Sequence, residues 1–153
     1  MTRAQITPNF YRDEFDRKAR PSKGFPTVAE YPKEWIESRL RPLCEDLERV
    51  RAALRERYNP NAIIRIGSGY RDPAFNRATP GAAIKSQHME GRAADIVVPG
   101  QAPITIHQLV LDLFRENVLK NVHGLGIYPT FVHVDVRPVN GLVRWSGLRN
   151  EPE

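Results

Sequence analysis

Four histidines stand available for chemistry in this 153-residue chain: His88, His107, His123 and His133. His88 lies in Ser86-Gln87-His88-Met89-Glu90-Gly91-Arg92-Ala93-Ala94-Asp95, seven positions before an aspartate set among apolar neighbours. A turn at Gly91 followed by an extended segment brings imidazole and carboxylate together, because glycine lets backbone approach a neighbour where a side chain would obstruct. A carboxylate in an otherwise apolar strand needs a partner. A metal ion, a histidine hydrogen bond or an arginine ion pair each meets that need. The second cluster is Phe131-Val132-His133-Val134-Asp135-Val136-Arg137. A period of two places His133, Asp135 and Arg137 on one strand face and the valines on the other, as the floor of a site or as an exposed charge ladder. Two imidazoles and a carboxylate suit zinc with one position open, the arrangement for metal-assisted amide hydrolysis.

The elements that position these groups follow from periodicity and punctuation. Ile36, Leu40, Leu43, Leu47, Val50 and Leu54 recur at three- and four-residue steps and predict an amphipathic helix between Pro32 and Tyr58. Pro42 either kinks it or sits in the first turn of a second helix. Ile63–Ile66 reads as a buried strand, 72–87 as a long loop, and Arg92–Val98 as a second strand. A helix follows from Ile104 to Leu119, with Leu109, Val110 and Leu113 inward. Gly124–Tyr128 and Phe131–Val136 are strands joined by a tight Pro129-Thr130 turn, and Leu142–Trp145 adds an edge strand. Consecutive strands late in the chain predict an α+β fold, a small, mainly antiparallel sheet with helices on one face. One domain is expected over 1–153, with 1–31 an extended arm anchored by Phe10, Tyr11, Phe15 and Phe25.

Composition narrows the functional classes. Hydrophobic residues make up 41% and charged residues 27%, an ordinary globular mixture rather than a disordered one. No apolar run is long enough to span a bilayer, so no membrane insertion is expected. The N-terminal segment lacks the pattern of a secretory signal. A single cysteine, Cys44, rules out an intramolecular disulfide and a Cys-rich zinc module. It is expected as a small buried residue. The net charge of +5 suits an anionic partner, but without a lysine-rich block or aromatic RNA-binding motif, nucleic acid is not expected. Acid–arginine alternation, as in Glu45-Asp46-Leu47-Glu48-Arg49-Val50-Arg51, reads as a solvated surface of mixed sign.

Ser86-x-His88-x-x-Gly91-x-Ala93-x-Asp95 followed by His133 resembles the D-alanyl-D-alanine carboxypeptidase family of zinc peptidases, which includes murein peptidases and phage endolysins. The run His88–Asp95 is also similar to the zinc motif of hedgehog signalling domains, which share that fold. Ser68-Gly69-Tyr70-Arg71, Asn76-Arg77 and Gly124–Pro129 extend the resemblance over roughly 35–146. It implies one zinc per chain held by His88, Asp95 and His133. It also implies an Arg71 that meets a substrate carbonyl or carboxylate, and a Ser86 that supports the site or contacts substrate. Tyr128 and Trp145 are expected at the substrate groove. The family's acidic base three residues before the second histidine is here Thr130. Asp135 is the nearest acid that either replaces it or fixes a histidine tautomer, and Glu90 is the weaker candidate. The implied activity is hydrolysis of peptidoglycan peptides by a monomer reaching the cell wall, for example during phage lysis. The alternative is a non-catalytic zinc-containing binding module.

Overall fold

The computed structural model describes residues 3–148. Two antiparallel strands, β1 (Gln5–Thr7) and β2 (Phe10–Tyr11), open the chain, followed by single helical turns at Arg12–Phe15 and Pro21–Lys23. The expected arm is therefore a hairpin and tight turns rather than simply extended. Phe10 and Phe15 are buried in the core, while Phe25 and Tyr11 stay half-exposed.

The predicted amphipathic helix arrives in stages. A short turn at Lys33–Trp35 runs into a wide turn at Ile36–Leu40 and then into α1 (Arg41–Arg57). Pro42 falls in the first turn of α1, directly after the wide turn that Arg41 N–H closes on Ile36 O. The apolar stripe buries Leu43, Leu47, Val50 and Leu54, and Cys44 is buried beside them.

The second sheet holds β3 (Arg65–Ser68), β4 (Ala93–Val97), β5 (Gly124–Ile127), β6 (Val132–Asp135) and β7 (Val143–Ser146), in the order β3-β4-β6-β5-β7. All neighbours pair antiparallel except β5 with the edge strand β7, which run parallel. β3 begins two residues later than expected, because Ile63 is exposed and Ile64 only leads into the pairing. The helix α3 (Pro103–Arg115) also ends earlier than expected, before Asn117 adopts a left-handed conformation at φ 59°. Ala94, Ile96, Leu125, Val132 and Val134 form one sheet face, in a single apolar cluster with α1 and with Ile106, Leu109, Val110 and Leu113 of α3. This is the predicted α+β arrangement. The opposite face is left for polar groups.

Within the expected loop 72–87, a short helix α2 (Pro73–Arg77) forms. The cause is local: Asp72 caps it by accepting from Phe75 N at 3.4 Å, and Pro73 fixes the first helical φ. One acid of the charged run 45–51 also departs from its expected place at the surface, while Glu45, Glu48, Arg49 and Arg51 keep some exposure. Asp46 is fully buried and accepts from Lys120 N (3.0 Å), Asn121 N (2.7 Å), Val122 N (2.7 Å) and Arg49 Nη1 (2.6 Å). It ties α1 to the segment that leads into β5.

Candidate metal centre

Strand register assembles the site. Ser68, Asp95, His133, Gly126 and Trp145 lie on successive paired positions of β3, β4, β6, β5 and β7, so they form one row across the polar face. Gly126 matters for its missing side chain: a Cβ there would sit 2.5 Å from the Trp145 indole. Trp145 therefore lies across β5 and brings its ring to 4.9 Å from that of His133. Gly124 likewise leaves room for the Asp135 carboxylate, which a Cβ would strike.

His88 reaches the row from the preceding turn. Gly91 takes φ +66°, and a Cβ there would stand 2.7 Å from both Trp35 and the Tyr31 hydroxyl. Tyr31 in turn donates to Gly91 O at 2.5 Å. Glycine is required at this position on both counts. Ser86 Oγ accepts from His88 N at 3.1 Å, so this buried serine braces the ligand turn.

His88 Nε2 lies 3.1 Å and His133 Nδ1 3.3 Å from Asp95 Oδ1, and one donor atom from each of the three residues falls within 4.8 Å of the others. Donors around four-coordinate zinc, at bonds of about 2.0–2.1 Å, stand about 3.3 Å apart, so this set fits that ion. The hydrogen bonds behind the rings point to the same choice of nitrogens. His88 Nδ1–H donates to Gly69 O at 2.7 Å, leaving the Nε2 lone pair free. His133 Nε2–H donates to Asp135 Oδ2 at 2.7 Å, leaving Nδ1 free. Outward hydrogen bonds of this kind fix tautomer and ring orientation in metal sites.

The charges follow. Burial lowers the proton affinity of His88 and favours the neutral ligand form. For His133, burial acts in the same direction but is outweighed by Asp135 and Asp95, so its proton affinity is raised when no metal competes. Burial would raise both aspartates. Instead, with no metal bound, protonation of the His133 and His88 nitrogens that face Asp95 holds it well below the usual carboxylate range, and hydrogen bonds from Arg137 and His133 do the same for Asp135.

Asp135 is fully buried and closely engaged. Arg137 donates from Nε (2.8 Å) and backbone N (3.1 Å) to Oδ1, and from Nη2 (2.7 Å) to Oδ2. Glu90 is exposed and faces Arg39 at 3.4 Å and Arg92 at 3.6 Å. Thr130 is exposed in the turn between β5 and β6. Arg71 stands on the β3 side, with Nε 3.2 Å from Ser68 Oγ, Nη1 3.4 Å from Asn76 Oδ1 and Nη2 3.3 Å from Asp95 Oδ2. On the β7 side Trp145 Nε1 donates to Tyr128 Oη at 2.8 Å, and Tyr128 stacks on Phe131 at 4.5 Å. His107 is half-buried on α3, and His123 is tied to Gly141 O at 2.6 Å.

Sequence patterning did not reveal the Gly69 carbonyl behind His88. Its signal is steric: a Cβ at Gly69 would lie 2.7 Å from Phe15 backbone, a contact between segments 54 residues apart that no local pattern shows. Nor did it show that Asn76 would reach Arg71 from a helix.

A search of curated proteins found no match. The model of the peptidase M15 family matches residues 8–135, from the N-terminal hairpin through the whole of β6. With that match spanning most of its length and all three candidate ligands inside it, the chain belongs to the M15 family of zinc peptidases.

Proposed function

We propose that this metallopeptidase hydrolyses peptide bonds in peptidoglycan stem peptides or cross-links, with His88 Nε2, Asp95 and His133 Nδ1 holding its zinc. The observation that carries this reading is the convergence of those three donors, each imidazole locked by a partner behind it. Bound zinc supplies Lewis-acid polarisation of a carbonyl and acidifies water towards neutral pH. The chain's own residues do the rest. Arg71 offers a largely buried guanidinium to a carbonyl or carboxylate oxygen of the peptide. Trp145 and Tyr128 wall the opposite side, and the Tyr128 hydroxyl keeps its proton for donation because it accepts from the indole. Ser86 holds the His88 turn.

Asp135 acts as a positioning residue, since both its oxygens are taken up by His133 and Arg137. Asp135→Asn is expected to weaken zinc affinity by about 10–100-fold, with turnover largely recovered at saturating zinc. A loss of about 10²-fold in rate at full zinc occupancy would instead make it the general base. Zinc titration followed by kinetics separates the two.

Among the described residues, no helix is long and apolar enough to cross a membrane. Action on the cell wall, after release through a phage-induced lesion, fits a basic chain of this size. Digestion of defined muropeptides, with and without chelator, tests the substrate class, and mass spectrometry of the products identifies a terminal or cross-link bond. A second reading, a zinc-containing peptidoglycan-binding module, draws on the engagement of Asp135 and Glu90 by arginines. It predicts muropeptide binding without chelator-sensitive products.

A further inference from the structure

We propose that the cleft between the N-terminal segment, α1 and the outer side of β3 is a second binding site, for a phosphate ester of an acyclic polyol. It shares no residue with the metal centre, so it stands or falls apart from the peptidase reading.

β3 ends the five-stranded sheet, and no further strand covers its outer side. There the N-terminal segment and α1 leave a cavity of about 480 Å³, a volume suited to a small ligand. Its buried lining is apolar, formed by Phe10, Ile64 and Ile66. Lys18, Arg51 and Arg65 line the same cavity and bring it three cations.

These charges are uncompensated. Along α1, Arg41, Arg49 and Arg57 pair with Glu37 (2.7 Å), Asp46 (2.6 Å) and Glu116 (3.4 Å). Arg51, Arg65 and Lys18 have no carboxylate within ion-pair distance among the described residues. The acids nearby are committed elsewhere. Glu14, which also lines the cavity, accepts from Tyr11 N at 2.7 Å, and Glu48 accepts from Asn9 N and Nδ2, both at 2.7 Å. Lys18 Nζ donates to Glu14 O at 3.0 Å, which anchors the ammonium and leaves its other protons for a ligand.

A concave surface of one sign over an apolar wall focuses its field and favours a bound anion. Two guanidinium forks and an ammonium match an oxyanion with several acceptor oxygens, as a phosphate group has. The carbon part is argued from the lining. Nucleobases need an aromatic face to stack on, and Phe10, at 1% exposed, offers none. The exposed Ile63 and the isoleucines beside it suit a flexible aliphatic chain. Such an ester comes either from a phosphodiester polymer of the wall or from a free small molecule.

Calorimetry on the zinc-loaded protein tests the site. The probes are glycerol 3-phosphate, a short glycerol phosphate oligomer, and oligoglutamate and oligothymidylate of matching length. Arg51→Ala and Arg65→Ala are each expected to weaken the phosphate probes by about tenfold, the scale of one charged hydrogen bond. Neither side chain has a hydrogen-bond or ion-pair partner to lose, so both variants should melt with wild type. An oligomer bound far more tightly than the monoester identifies the polymer, and equal affinities identify the small ester. The site is overturned if neither phosphate probe binds, if binding survives both substitutions, or if oligoglutamate or oligothymidylate binds as tightly as the oligomer. Turnover of soluble muropeptides by the same samples should be untouched by either substitution. Phosphate binding without turnover would sink the peptidase reading and leave the cleft standing, whereas turnover without phosphate binding would sink the cleft alone.

Discussion

Exchange of His88 for alanine is expected to strip the protein of zinc and abolish peptide hydrolysis. His88 is one of only three donors in the cluster, and its loss leaves Asp95 and His133 as an incomplete set. Lewis-acid stabilisation of a developing oxyanion is worth several kcal/mol, so the rate should fall by about 10³-fold or more. Because metal binding is coupled to folding, the variant should also melt below the zinc-loaded wild type. Acidification should mimic the substitution in part. Ligand imidazoles must be unprotonated, so zinc content is expected to fall as pH drops through and below the ordinary histidine value of 6.5. Metal analysis and turnover across pH check both statements. A variant with full zinc and wild-type turnover would refute the ligand assignment.

Asp46→Ala should produce the largest loss of stability outside the metal centre. The substitution removes a fully buried carboxylate and leaves the backbone N–H groups of Lys120, Asn121 and Val122 without their acceptor. Breaking a buried charged network at one partner costs about 3–5 kcal/mol. For a domain of this size that lowers Tm by roughly 10 °C. The segment released leads into β5, whose glycines accommodate Trp145 and Asp135, so weaker zinc binding should accompany the loss. Thermal unfolding of the metal-free variant beside metal-free wild type separates the two effects. Asp46→Asn, which keeps one carbonyl acceptor, should fall between them. An unchanged Tm for Asp46→Ala would show that the network contributes little.

The strands of the sheet's polar face were legible because alternation in a half-buried strand has one period. His133, Asp135 and the facing valines could be assigned to sides from sequence alone, and the register then set Asp95 opposite His133. Helix α1 was equally legible from its apolar stripe. What local pattern could not supply was the pairing of distant segments. Asp46 looks like any acid in a charged run until the 120–122 segment is folded against it. The N-terminal residues carry no sustained period, yet Phe15 backbone seats Gly69 and accepts from Tyr70 N at 2.8 Å. Helix α2 was within reach of a stricter reading, since Asp72-Pro73 is a helix-start signal.

The central claim is most directly tested by anomalous diffraction at the zinc edge from crystals of zinc-loaded protein. A single strong peak per chain is expected, with His88 Nε2, His133 Nδ1 and an Asp95 oxygen each at about 2.0–2.2 Å, and Asp135 still bonded to His133 Nε2. A peak coordinated by His133 Nε2, a peak away from the three residues, or none at all would contradict the account.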